Sequence, residues 1–197
     1  MLNDQTASLN DLKQSIEVLK STYGDNSLEL NKNVSQMYTL LTGSSRIQGQ
    51  FGEISLKMIL EHAGFIENIA YEEQKKVGSE KPDIIINLPD HRKVVVDSKV
   101  SLTDYSAYLK SQTDSEKDIL KKNHIMSVKR HIKTLSSTEY RSIYGNDSLD
   151  LIIMFMNVEG AYIMACEDEL IKEALKAKIA IVGPTTLLAI LQIINRA

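Results

Sequence analysis

Between Lys81 and Val100 the chain reads Lys-Pro-Asp-Ile-Ile-Ile-Asn-Leu-Pro-Asp-His-Arg-Lys-Val-Val-Val-Asp-Ser-Lys-Val. Two β-branched runs, Ile84 to Ile86 and Val94 to Val96, flank a Leu-Pro-Asp-His turn, the pattern of a hairpin. With the turn centred on Asp90, Leu88 faces Arg92 and Ile86 faces Val94. Equal steps outward then set Asp83 opposite Asp97. Opposed residues of an antiparallel pair have Cβ atoms about 4.5–5.5 Å apart, so two carboxylates there repel unless something neutralises them. A proton, a basic side chain or a cation would serve, and the spacing suits a hard divalent ion with oxygen ligands. Lys99, two residues past Asp97, falls on the same strand face as Asp97. The backbone carbonyl of Ser98 can turn inward as a further ligand, and Glu53, on the flank of an apolar helix face, would point a carboxylate at the sheet.

Such charges are costly to bury unless they satisfy one another. An Asp97–Lys99 ion pair with a purely structural role explains those two residues taken alone. The mirrored Pro82-Asp83 on the preceding strand favours a metal-type site over a structural charge cluster.

The surrounding elements must hold these groups. Leu9, Leu12, Ile16, Leu19 and Tyr23 form one helical stripe, Gly24 to Ser27 a turn, and Leu30, Val34, Met37 and Leu41 a second stripe. Residues 1–43 therefore read as a helical hairpin or coiled-coil segment that would join chains into a homo-oligomer, or that packs on its own domain. Polar Gly43 to Gln50 reads as a hinge into a globular domain, 44–197, which opens with a helix from Phe51 to His62 closed by Gly64. Ile69 to Val77 is strand-like but polar, as at a sheet edge. The Ile and Val runs are apolar on both faces and belong inside a sheet with helices on each side. A long helix from Thr103 to Leu135, a strand from Leu151 to Met156, a helix from Ala161 to Ala177, a strand from Ile179 to Val182 and a helix from Pro184 to Asn195 follow. That order describes a mixed α/β, three-layer domain.

Length and composition agree with one core: 197 residues, 43% hydrophobic and 25% charged. Cys166 is the sole cysteine, which excludes an internal disulfide and suits a reducing cytoplasm. No run of about eighteen apolar residues and no secretion signal is present. Neither GxxxxGK[ST] nor GxGxxG occurs, which removes the common nucleotide-binding loops. The net charge of -3 confines any nucleic-acid contact to a local patch. The densest basic stretch runs from Lys117 to Arg141 and includes Lys129; it is a phosphate-facing edge or a solvated helix face.

Pro82-Asp83 followed by Asp97-Ser98-Lys99 resembles the PD-(D/E)xK signature of restriction, repair and recombination nucleases. The words around it, Gly49-Gln-Phe-Gly-Glu-Ile-Ser-Leu56, Glu61-His-Ala-Gly-Phe65, Tyr71 with Gln74, Asp97-Ser-Lys-Val-Ser-Leu102 with Tyr105, His124 with His131 and Leu135, and Pro184-Thr-Thr-Leu-Leu188, are similar in order and spacing to the RmuC family. The resemblance runs from about Val34 to the C-terminus. Phe51 stands where that family usually has Trp, Thr138 where it has Lys, and Asn157 and Gly160 where it has Pro and Ala.

The resemblance implies a bacterial DNA recombination or repair protein with a restriction-endonuclease-like core, limiting inversion between short inverted repeats. Relatives of this kind usually carry a membrane anchor and a long coiled coil before the domain and more helix after it. Mg²⁺, or Mn²⁺ in its place, would be held by Asp83, Asp97, Glu53 and the Ser98 carbonyl, with Lys99 orienting a water for phosphodiester hydrolysis by a deoxyribonuclease. Gln74, His124, Lys129, His131, Thr185 and Thr186 become candidate DNA contacts, the last two at a helix start that suits a phosphate or an ordinary cap. Hydrogen-bonded core histidines are the plainer reading of His124 and His131. Glu159 is a candidate supporting carboxylate. The rival reading is a binding or scaffold module that keeps the fold and does not cut DNA.

Overall fold

The computed structural model describes residues 45–73, 82–90, 92–98, 102–137 and 148–195. The expected N-terminal helical segment lies outside them, as do Gln74 and Lys99. The described chain opens with helix α1, Ser45–His62. Residues 45–50, expected as part of a hinge, are thus helical: an isolated glycine such as Gly49 costs a helix about 1 kcal/mol, too little to stop one of this length. Gly64 does stop it. With φ at +85° it donates to the Glu61 carbonyl while Phe65 donates to Leu60, a left-handed turn that favours glycine.

Strands β1 (Tyr71–Glu73), β2 (Ile84–Asn87) and β3 (Lys93–Asp97) form an antiparallel meander. Ile86 pairs with Val94 and Ile84 with Val96, the register expected from a turn centred on Asp90. Beyond the hairpin come α2 (Thr103–Lys110), α3 (Asp114–Ser137) and β4 (Ser148–Phe155), which runs parallel to β3. Helices α4 (Glu159–Ala165) and α5 (Asp168–Lys176), strand β5 (Ile179–Val182) and helix α6 (Pro184–Ile194) complete the order, with β5 parallel to β4. The spatial order is β1-β2-β3-β4-β5, so β1 is an edge strand and the Ile and Val runs are interior, as expected.

Alternation along the strands divides the core. Val95, Ile152 and Met154 pack against Val128, Ile132 and Leu135 of α3 and Ala161, Ala165, Leu170 and Ala174 of α4 and α5. Ile84, Ile86, Val94, Val96, Ile153 and Phe155 pack against Leu56, Ile59 and Leu60 of α1 and Leu187 and Leu191 of α6. Helices thus cover both faces.

Two helices expected to be continuous are each broken in two. Ser111 is extended at the end of α2, and Thr113 caps α3: its hydroxyl accepts the Glu116 N–H at 3.4 Å, while the Glu116 carboxylate accepts from the Ser111 hydroxyl at 2.7 Å. Between α4 and α5 the break lies at Cys166 and Glu167. At 100° per residue, Leu170 would stand about 180° from Ala161 on one straight helix. The break turns Leu170 and Ala174 onto the same core as Ala161.

Candidate active site

The ladder that pairs Ile84 with Val96 carries Asp83 and Asp97 to the next opposed positions, at the end of the sheet. Both carboxylates are buried, Asp83 at 5% exposure and Asp97 at 3%, so each requires polar partners. Asp83 Oδ2 accepts the backbone N–H of Ser98 at 2.8 Å and its hydroxyl at 2.9 Å. Asp97 Oδ1 stands 3.4 Å from His131 Nε2 on α3. These two sets of contacts belong to different layers. Asp97 turns to α3, while Asp83 ties the start of β2 to the end of β3 and borders a recess on the α1 side.

Helix α1 crosses that end of the sheet closely. A Cβ at Gly52 would come within 3.3 Å of the Ser98 carbonyl oxygen, tighter than ordinary packing, so glycine there lets the helix approach Ser98. The next residue, Glu53, then lines a recess of about 120 Å³ with Ile54, Lys57, Glu73, Asp83 and Ile84. Lys57, one turn after Glu53, reaches Glu67 at 2.8 Å and Glu73 at 2.7 Å. Those carboxylates, Glu67 foremost, push its ammonium well above the ordinary lysine range, so it is a fixed cation in the recess wall.

The donor chemistry suits a hard divalent ion. Magnesium keeps several waters and takes one or two carboxylates rather than a full protein cage, and Asp83 and Glu53 share one recess of suitable size. Among the described residues no three His, Cys, Asp or Glu side chains stand close enough to ligate one ion together.

The remaining candidates are dispersed. His124 is fully buried, with Nε2 3.0 Å from the Ala161 carbonyl, and offers no surface to a ligand. Lys129 pairs with Glu173 at 3.3 Å. The helix start at Thr185 and Thr186 is already occupied. Glu159 Oε2 accepts the Thr185 N–H at 3.0 Å, and Thr186 bonds the Tyr162 side chain. Glu159 therefore caps α6, far from the supporting role expected beside the acid pair. Gly183 permits this, since a Cβ there would lie 2.8 Å from Glu159 Oε2.

Sequence reasoning missed Lys57 and the side chain of Ser98 as a donor. The first had a signal, a lysine four residues after Glu53 and so on the same helix face. The second had none, because a hydroxyl beside a metal-type motif reads as solvent-facing.

A family model described as the RmuC family matches residues 2–197. The chain is 39% identical over 175 residues to the DNA recombination protein RmuC homolog of Pseudomonas aeruginosa, covering 85% of this chain and 38% of that protein. It is 37% identical over 177 residues to DNA recombination protein RmuC of Salmonella typhimurium, covering 84% and 37%. To the Escherichia coli protein of that name it is 36% identical over 177 residues, again covering 84% and 37%. The chain thus spans little more than a third of these relatives. No solved structure matches it.

Proposed function

This chain belongs to the RmuC family, and on that premise we propose that its α/β domain is a PD-(D/E)xK-type deoxyribonuclease acting in DNA recombination. One observation carries the reading: two buried carboxylates lie just beyond the last paired residues of the central hairpin, and α1 brings Glu53 into one recess with Asp83. Asp83 and Glu53, which line one recess, would hold Mg²⁺ or Mn²⁺ with waters completing its shell, and Asp97 and the Ser98 carbonyl would meet the ion only through such waters. When bound, that ion supplies Lewis-acid polarisation of a phosphate oxygen and a water of lowered pKa.

The chain's own groups do the rest. The two bonds from Ser98 fix one oxygen of Asp83, leaving its geometry independent of solvent. His131 holds Asp97 from the opposite layer. Lys99, two residues on, would orient the attacking water and offset charge growing on the phosphate. Lys57 keeps the acidic wall of the recess from repelling a phosphodiester outright.

The test is cleavage of labelled single- and double-stranded DNA with Mg²⁺ or Mn²⁺ by wild type, Asp97→Asn and Lys99→Ala. Metal-dependent cutting by wild type and losses of about a hundredfold or more in both variants are expected. Equal cutting by all three, or none by wild type, would overturn the assignment. A second reading, a DNA-binding module that does not cut, is favoured by one detail: Asp83 already serves a structural role through Ser98. It requires DNA binding without cleavage in wild type.

A further inference from the structure

Helix α3 carries more basic residues than any other described helix, and the structure sorts five of its six lysines and arginines, all but Lys117, into two sets. Lys121 is bound to Glu167 at 3.0 Å and Lys129 to Glu173 at 3.3 Å, so that flank is neutralised by α5 and the turn before it. Lys122, Arg130 and Lys133 are exposed and have no ion-pair partner among the described residues. At 100° per residue these three fall within about 80° of one another, on the face pointing away from the core residues Val128, Ile132 and Leu135.

We propose that Lys122, Arg130 and Lys133 form a ridge that binds the sugar–phosphate backbone of DNA on the outer face of the helix whose inner side meets Asp97 through His131. The inference rests on the reading of the acid pair as a DNA site. Three features support it. The ridge is cationic on a chain whose net charge is -3, so its charge is local and complementary to a polyanion. Lys122 to Lys133 spans about 16 Å of helix axis, roughly the rise of five nucleotides on one strand. Met126, 55% exposed, lies on the same face between Lys122 and Arg130 and adds an apolar contact for deoxyribose.

Lys129, the lysine singled out from the sequence, is not part of this ridge. Its carboxylate partner on α5 already satisfies it.

The experiment measures binding of the full chain to a fluorescein-labelled 20-base-pair duplex by anisotropy in EDTA, across a salt series. Wild type is compared with K122Q/R130Q/K133Q and with a charge-matched control, K121Q/K172Q/K176Q, which removes the same number of positive charges from other surfaces. All six side chains are at least partly exposed, and circular dichroism checks that both variants fold. The ridge variant should lose at least tenfold in affinity and reduce the slope of log K against log salt by about 2–3, roughly one for each phosphate that is no longer neutralised. The control should change less than threefold. Equal losses in the two variants, no loss in the ridge variant, or no duplex binding by wild type would each overturn the ridge. Vesicles containing phosphatidylserine are tested in parallel. Binding to them in place of DNA, abolished in the ridge variant, would assign the face to a membrane and overturn it too. Cleavage by wild type with unaltered binding in the ridge variant sinks the ridge alone. Ridge-dependent binding with no cleavage sinks the nuclease reading alone.

Discussion

Asp83 and Ser98 are joined twice, by a backbone N–H bond of 2.8 Å and a hydroxyl bond of 2.9 Å to the same carboxylate oxygen. The pair lies at the open end of a hairpin whose strands are held elsewhere by ladder bonds, and there it replaces the ladder with a side chain. Both residues are buried, so the carboxylate depends on these donors more than a solvated one would.

Ser98→Ala deletes the hydroxyl donor and keeps the N–H. Hydrogen bonds to charged groups contribute about 1.5–3 kcal/mol, and retention of the N–H bond places the loss near the lower end, about 1–2 kcal/mol. Urea unfolding should show a lower midpoint with an unchanged m value. A midpoint equal to that of wild type would show that the hydroxyl contributes nothing.

Gly160 lies where the hydroxyl of Tyr105 fills the space that a Cβ would occupy, and Cζ would stand 3.1 Å away. Gly160→Ala should therefore destabilise by about 1–3 kcal/mol through overpacking. Tyr105→Phe removes the overlapping oxygen, so the double variant should recover more than about 0.5 kcal/mol of that deficit, roughly the coupling of residues that touch. Strict additivity of the two substitutions in chemical denaturation would contradict the close approach.

His124 sets a pH limit on stability. A carbonyl oxygen can only accept, so Nε2 carries the proton in the bond to Ala161, and Nδ1 carries a lone pair that is buried with no partner among the described residues. Burial pushes its pKa below the ordinary histidine range, against weaker upward pulls from the Ala161 carbonyl and Asp104. The unfolded chain therefore binds the proton more readily. Its contribution is complete above about pH 6.5 and declines as pH falls toward the folded pKa, by at most ~1.4 kcal/mol per pH unit. Thermal melts from pH 7.5 to 5 should show a steeper fall for wild type than for His124→Gln, which keeps a donor for Ala161 but does not titrate. Parallel curves would refute this.

Lys57→Met removes the cation shared by Glu67 and Glu73 and leaves Glu73 in one recess with Glu53 and Asp83. The lysine is about one-third exposed, so the effect should be modest, about 1 kcal/mol at low ionic strength. It should shrink in 1 M NaCl, where charges are screened within about 3 Å. An effect independent of salt would mean that packing of the lysine stem, and not its charge, is what matters.

What could be read from the sequence followed from periodicity and symmetry. Ile84 to Ile86 and Val94 to Val96 could only pair about Asp90 if the turn was short, and that set the register; the side chains just past its end follow their own partners, Asp83 turning to Ser98 and Asp97 to His131. The helix breaks were hidden because spacing of apolar residues continues across them. Thr113 and Glu116 did form a capping pair in the sequence, but Leu170 turned inward only because the core needed it, a tertiary demand that local pattern does not carry. The same holds for charge. Lys129 and Arg130 are neighbours in the chain, and only the position of Glu173 on α5 separates a neutralised lysine from an exposed arginine.

The sheet joins a local meander to a distant parallel pair, and this bears on how the molecule assembles. Closing β2 onto β3 spans a five-residue connection, whereas β4 meets β3 only after a crossover of about fifty residues. The longer closure costs about 2 kcal/mol more in chain entropy. We expect the antiparallel ladder to gain protection from pulse-labelled amide exchange before β4 does; protection of β4 first would reverse that order. The strand ends that carry the two carboxylates would then be aligned early in folding, while the imidazole that steadies Asp97 arrives only when the long crossover carrying α3 settles onto the sheet.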